Sequence, residues 1–140
     1  MVAKQTTVFI ENRKGRLTEV LNVFKANAVN IVSLSLADTA EYGLLRVISD
    51  NPLKAKESLT KAGFSSMLTD VLIVKIPHTP GALQNILRVI AEEELNVEYM
   101  YGLSVGGEEA SIVVKTSDLQ KAEQVFEVHG IQTLSDKDLH

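Results

Sequence analysis

The sequence contains no cysteine, and only 5% of its residues are aromatic. Without cysteine the chain can form neither a disulfide nor a cysteine-ligated zinc site, and this composition fits a reducing compartment. Basic residues are in the minority: 14 lysines and arginines against 18 acidic residues give a net charge of −4. This balance argues against the basic surface of a nucleic-acid-binding protein. The histidines, His78, His129 and His140, show no metal-ligand spacing, so no metal site is predicted.

Long hydrophobic runs are absent as well. No segment reaches the roughly 20 apolar residues that a membrane-spanning helix needs, and the opening MVAKQTTVFIENRK lacks the apolar core of a secretion signal. We therefore expect a cytoplasmic protein with no membrane partner. The chain has 140 residues, 45% hydrophobic and 23% charged, which is the usual balance of a folded chain with one or two small domains.

Two similar stretches of sequence divide the chain into halves. ENRKGRL in the first half and HTPGALQNIL in the second each place one glycine, Gly15 or Gly81, between an apolar run and a helix-like pattern. At this offset of 66 residues (81 minus 15), apolar positions match along most of each half, with no gap until about residue 125. We interpret the halves as two copies of one module, with domains at 1–70 and 71–140.

Each half shows the same order of predicted elements. β-Branched and aromatic runs predict strands at TTVFIE, NIVSLSLA, LLRVIS and FSSMLT, and again at VLIVKI, NVEYMYGLSV, ASIVVK and IQTLS. Two amphipathic helices per half lie between these strands. The second helix of each half is predicted to have a capping residue, Asn51 in the first half and Ser117 in the second half. Gly106-Gly107 predicts a tight hairpin turn. The order βαββαβ, occurring twice, predicts an α+β fold of two ferredoxin-like modules, with antiparallel sheets and helices on one face.

The two predicted layers can be assigned from the periodicity. The second helix of the first half is predicted to carry Leu53, Leu59 and Ala62 on its apolar face. The sheet face that points away from the helices is predicted to be apolar and to be left bare by them. Its residues would be Phe9, Leu45, Val47 and Ile73. A bare apolar sheet face is an interaction surface, so we expect a homodimer formed through sheet faces or edges.

The glycine turn has a definite chemistry because it joins a strand to a helix. The first turn of a helix exposes unpaired N–H groups at the positive end of the helix dipole, which favours a carboxylate or phosphate. Glycine lets a ligand approach the backbone closely. Asn12 lies just before Gly15, and Asn30 opens the second strand; such amides both donate and accept hydrogen bonds. The arrangement therefore suits a zwitterion.

These residues resemble those of a known family, the ACT domains, which are small-molecule-binding regulatory modules of amino-acid metabolism. ENRKGRL, its helix and NIVSLSL carry the resemblance in the first half. IPHTPGALQNILRVIAEEELNV carries it more closely in the second, because it keeps the pair Pro80-Gly81. The resemblance covers nearly the whole chain and implies a free-standing ACT pair. Such a protein would be allosteric, bind a free amino acid, need no cofactor, have no enzymatic activity, and regulate a metabolic enzyme as its partner.

The resemblance also implies a location for the ligand, between the first turn of one module and the second-strand start of the other. The first turn departs from the family pattern, because Lys14 stands where proline is usual, so the two sites are expected to differ. Carried over by position, the ligand-binding residues are Asn12, Arg13, Gly15, Arg16 and Leu17 in one turn, His78, Thr79, Gly81, Ala82 and Leu83 in the other, and Asn30 with Ile31 and Asn96 with Val97 opposite them.

Three other functions are compatible with the element order. An acylphosphatase-like enzyme would use Arg13 and Asn12 in an anion-binding loop, but the glycine-rich loop and a nucleophile–base pair are missing. An RNA-binding domain would need aromatic residues on its first and third strands, where only Phe9 is found. A ligand-free assembly module is the remaining alternative, and it depends on the bare sheet face.

Overall fold

The structure, a computed structural model, describes residues 2–11, 13–38, 41–103 and 110–139. The chain divides into two compact units, Lys4–Thr69 and the part from Asp70 onward together with the first residues. Each unit combines antiparallel strands with two helices, which confirms the predicted α+β class. The predicted hairpin turn at Gly106-Gly107 lies outside the described residues.

The first module has the strand order β2-β3-β1-β4. Its elements are β1 (Ala3–Glu11), α1 (Arg16–Ala26), β2 (Ile31–Asp38), β3 (Tyr42–Ser49), α2 (Pro52–Lys61) and the beginning of β4 (Ser65–Ile76). The β1–β3 and β2–β3 pairs are antiparallel. The hydroxyl oxygens of Thr7 and Thr69 lie 3.1 Å apart and connect β1 with the first residues of β4.

The core of the first module lies between this sheet and its two helices. Strand residues that alternate along β1 and β3 meet the apolar stripes of α1 and α2, as expected for a sheet covered on one face. The buried members include Val8, Ile10, Val20, Phe24, Leu45, Val47, Ala55 and Leu59.

The second module repeats the arrangement with the strand order β7-β4-β6-β5. The β4–β6, β4–β7 and β5–β6 pairs are antiparallel. Its elements are the rest of β4, α3 (Ala82–Glu92), β5 (Val97–Leu103), β6 (Ala110–Thr116), α4 (Leu119–Val128), β7 (Thr133–Leu134) and a 3₁₀ helix (Asp136–Leu139). Its buried core includes Leu72, Val74, Ile86, Val89, Ile90, Ile112, Val114, Ala122 and Phe126.

Several predicted boundaries were wrong. The two strands predicted at FSSMLT and VLIVKI form one continuous strand, β4, because no turn residue separates them. The last predicted strand, IQTLS, is reduced to Thr133–Leu134. Helix α4 is capped by Asp118 rather than Ser117: the Asp118 carboxylate accepts the backbone N–H of Lys121 at 3.0 Å.

The gap-free alignment of the two halves was also wrong. Leu34 pairs with Val47 in the first module and Met100 with Val114 in the second, so the offset is 66 on one strand and 67 on the next. The second hairpin is therefore one residue longer. A loop can take up an added residue without disturbing the strands that it joins.

The prediction that Leu53 lies on the apolar face of α2 was wrong, and the extra residue shows which residues of α2 and α4 correspond. An offset of 66 aligns Leu53 with Leu119, which packs against the second core, yet Leu53 is 70% exposed. An offset of 67 instead aligns the buried Leu59 with the buried Phe126. The helices α2 and α4 thus match at 67, and Leu53 lies on the solvent side of its helix.

The predicted bare sheet face was wrong for three of its four residues. Leu45 and Val47 face the helices and Ile73 is fully buried, whereas Phe9 is 43% exposed. Strand β3 has the apolar residues Leu44 and Leu45 in succession, so alternation alone did not show which of them faces the helices.

Candidate functional site

The two glycine turns have the same backbone conformation. Gly15 and Gly81 occupy the N-cap positions of α1 and α3 with φ angles of +87° and +84°, in the left-handed region that favours glycine. Among the described residues, no heavy atom lies within 4 Å of where a Cβ would stand on either glycine. Glycine is therefore required here by the backbone angle and not by lack of space.

The same two backbone hydrogen bonds close each turn. The residue after the glycine donates back to the second residue before it, and the first α-helical bond is accepted by the glycine carbonyl. The bonds are Arg16 N–H to Arg13 O (3.3 Å) and Glu19 N–H to Gly15 O (3.0 Å), and Ala82 N–H to Thr79 O (3.3 Å) and Asn85 N–H to Gly81 O (3.0 Å).

Two backbone donors follow each glycine turn and remain available. Within the described part of the chain, the N–H groups of Leu17 and Thr18, and of Leu83 and Gln84, form no hydrogen bond. Neither glycine supplies a side-chain cap. These donors lie at the positive end of a helix dipole, where a negative group is stabilised.

The second turn lies between two grooves, which we name A and B. Groove B, about 630 Å³, is lined by His78, Leu83, Gln84 and Ala110 together with the turn itself. It includes all the residues that the resemblance implied for this turn, namely His78, Thr79, Gly81, Ala82 and Leu83. The volume and the lining of groove B are those of a groove that could accommodate a small organic molecule.

Groove A lies on the other side of the same turn, towards the end of α4. It has a volume of about 510 Å³, and its distinguishing residues are Lys75, Asn85, Ile131 and Gln132. Ala82 lines both grooves. Sequence reasoning missed groove A because Ile131 and Gln132 come from a segment that is distant in sequence.

The corresponding place in the first module is filled by a side chain of that module. The guanidinium carbon of Arg16 lies 4.2 Å from the centre of the Phe64 ring, and Arg16 forms an ion pair with Glu19. Only 17% of the Arg16 side chain is exposed. Arg16, predicted to bind a ligand, is thus already engaged within its own module.

The remaining predicted residues of the first turn have different environments. Arg13 is exposed, with its Nε 3.6 Å from a carboxylate oxygen of Glu11. Gly15 is exposed, and Leu17 is half-buried against the core. Asn12 lies outside the described residues.

The predicted residues at the second-strand starts are held by equivalent backbone contacts. The N–H of Asn30 donates to the Asp50 carboxylate at 2.9 Å, and the N–H of Asn96 donates to the Ser117 hydroxyl at 3.2 Å. Both asparagines are exposed, while the residues that follow them, Ile31 and Val97, are half-buried. Their position opposite the glycine turns stays a prediction.

Within the described part of the chain, no group of three or more histidine, aspartate and glutamate side chains could hold a metal ion. No helix there is long and apolar enough to cross a membrane.

The duplicated βαββαβ order, the strand arrangement and the repeated glycine turn define a pair of ferredoxin-like modules. The chain belongs to the family of ACT domain pairs, which it matches over residues 1–140. This confirms the resemblance found in the sequence.

Solved structures agree with this assignment. Protein BT0572 from Bacteroides thetaiotaomicron is 36% identical, with a TM-score of 0.93 over 99% of this chain and 96% of that chain. The regulatory subunit of aspartate kinase from Thermus thermophilus, in a ligand-free form, is 15% identical, with a TM-score of 0.63 over 92% of this chain and 91% of that chain. The corresponding subunit from Thermus flavus is 15% identical, with a TM-score of 0.61 over 93% of each chain. The two Thermus proteins share the fold. No curated protein sequence matches the chain.

Proposed function

We propose that this protein is a non-catalytic regulatory protein that binds a free amino acid at the turn His78–Leu83 of its second module. The observation that carries this proposal is groove B, which lies beside the available N–H groups of Leu83 and Gln84. A carboxylate at these donors would gain hydrogen bonds and the favourable field of α3. The remaining predicted residues, namely the first turn, Asn30 with Ile31 and Asn96 with Val97, stay predictions from the resemblance.

The lining residues also suit the other parts of an amino acid. The Thr79 hydroxyl and the His78 ring offer acceptors for an ammonium group, and Leu83 with Ala110 offers apolar surface. No carboxylate lines either groove among the described residues, whereas Lys75 lines groove A. We therefore propose a neutral or acidic amino acid and not a basic one. Micromolar binding would correspond to about −8 kcal/mol.

A protein partner is part of the proposal. Two of the solved structures with this fold are regulatory subunits of aspartate kinase. By analogy, we propose that ligand binding changes how this chain contacts a metabolic enzyme. Such control requires that the ligand binds two states of the protein with different affinity.

Self-association is a second feature that we propose. Leu34 and Leu36 are exposed on β2, which is the edge strand of the first module's sheet. An exposed apolar edge strand is a ready surface for pairing with another chain. Light scattering should give twice the 15.3 kDa of the chain, and Leu34→Lys should return it to the monomer mass. A monomer at all concentrations would contradict this.

A thermal-melt screen against the common amino acids tests the main proposal. A ligand at 100 times its dissociation constant stabilises the protein by about 2.7 kcal/mol, which raises the melting temperature of a chain of 140 residues by about 9 °C. Ala82→Arg places a long side chain in both grooves and should remove the shift. Ala91→Arg adds the same side chain at an exposed position of α3, and this control should keep it. No shift with any amino acid at millimolar concentration would overturn the proposal.

A further inference from the structure

The two modules differ at three aligned positions around groove A. Where the second module has Ala82, Asn85 and Ile131, the first has Arg16, Glu19 and Phe64. The first two pairs match at an offset of 66, and the third at 67, as the strand registers require. At all three positions the first module has the larger side chain, and two of these side chains, Arg16 and Glu19, are also charged.

The three larger side chains act together. The Arg16 guanidinium lies over the face of Phe64 at 4.2 Å, a distance typical of a cation–π contact. Glu19 pairs with it from the next turn of α1. Phe64 is buried and the Arg16 side chain is mostly covered, so the contact fills the space between the start of α1 and the start of β4.

The second module cannot make this contact. Ala82 ends at Cβ, so it has no side chain that could extend across groove A to Ile131, three residues beyond the end of α4. Ile131 has no aromatic face. Asn85 is neutral, and its side-chain oxygen already accepts a hydrogen bond from Arg88 at 2.7 Å. Groove A therefore stays open beside the second turn.

We infer that Arg16 closes the first module's counterpart of groove A, so that the chain binds one ligand molecule, at the turn of the second module where both grooves are open. This inference rests on the proposed amino-acid binding at His78–Leu83. In this inference Arg16 closes a groove of its own module and does not contact the ligand. The duplicated sequence then encodes one working site and one site closed by its own side chain.

Calorimetric titration of the full chain with the amino acid from the screen tests the inference. We expect one molecule bound per chain, rising to two in Arg16→Ala. Lys25→Ala, which removes an exposed cation from the last turn of the same helix, is the control that stays at one. The double variant Arg16→Ala with Ala82→Arg should bind one molecule again, now at the first module. Two molecules bound by the natural chain, or one by folded Arg16→Ala, would overturn the inference.

A second measurement separates this inference from the proposed function. Isopropanol is titrated into the isotope-labelled chain as a probe of open grooves, and amide signals are followed by NMR. We expect shifts at Gly81 and Asn85 but not at Gly15 and Glu19 until Arg16 is replaced by alanine. If no amino acid binds, the proposed function fails, and this measurement still decides whether Arg16 closes the first groove. Equal shifts at both turns of the natural chain would reject the closure. If Arg16→Ala does not fold, Arg16→Gln serves in both measurements, because it keeps two of the three side-chain methylenes and removes the cation.

Discussion

The two modules share their backbone and differ in the side chains around one turn. Gly15 and Gly81 have φ angles that differ by 3° (87 minus 84), and the hydrogen bonds that close the turns have the same lengths. Yet one turn lies beside an open groove and the other is covered by Arg16. A repeated backbone therefore preserves the potential for a site, and individual side chains decide whether it is available.

The cores differ in the same manner. Thr6 occupies the position in β1 that Leu72 occupies in β4, and both are fully buried. The Thr6 hydroxyl has no hydrogen-bond partner in the described ranges of the chain. The first module thus contains a buried polar group where the second has an apolar one, which is expected to reduce its stability.

The largest effect that we predict tests the alignment of the modules. Phe126→Ala should destabilise the chain by about 3–5 kcal/mol, because it leaves a cavity in the second core. Leu59→Ala, its counterpart at an offset of 67, should cost about 2–5 kcal/mol. Urea denaturation measures both. Leu53→Ala is the control, and a loss as large as that of Leu59→Ala would contradict the offset.

The next effect tests whether the two turns have the same backbone. Gly15→Ala and Gly81→Ala should each cost about 1–2 kcal/mol, because alanine is strained at a positive φ. The two losses, measured by urea denaturation, should agree within about 0.5 kcal/mol. Gly102→Ala, in a strand and with no atom of the described chain near its Cβ position, should cost less. Clearly unequal losses at the turns would show that the backbones differ in solution.

A smaller effect concerns the buried hydroxyl. Thr6→Val keeps the shape of the side chain and removes the unpaired polar atom, so it should stabilise the chain by about 1 kcal/mol. Thr69→Val is the matched control, since the Thr69 hydroxyl is paired with Thr7, and it should be destabilising. Thermal melting compares the two variants. Destabilisation by Thr6→Val would mean that its hydroxyl has a partner in solution.

The smallest predicted effect is the stability that Arg16 contributes. Arg16→Ala should lose about 0.5–1 kcal/mol from the contact with Phe64, and part of the loss should disappear at high salt because the pair with Glu19 is screened. Arg13→Ala should change stability by less, since an exposed ion pair contributes little. If the two variants lose the same stability at every salt concentration, the Arg16–Phe64 contact is not formed in solution.

Much of the fold followed from periodic patterns. Val20 and Phe24 lie on the apolar stripe of α1, and the pattern of α3 is equally regular, so the helices and the duplication were predicted. The errors arose where the pattern was ambiguous: Leu44 and Leu45 are both apolar, and Ser117 and Asp118 are both good caps. The sequence pattern did not show that the second hairpin is one residue longer, because the strands on either side of it match apolar positions at an offset of 66 and at an offset of 67.

The duplicated module, the glycine turns and the residues of both turns can be read from the sequence alone, because they depend on neighbours within a few positions. Which turn is open depends on the folded chain. Arg16 and Phe64 are 48 residues apart (64 minus 16), and their contact requires α1 and β4 to be brought together by the fold. A groove is the space left between distant segments, so its presence depends on packing that no local pattern records.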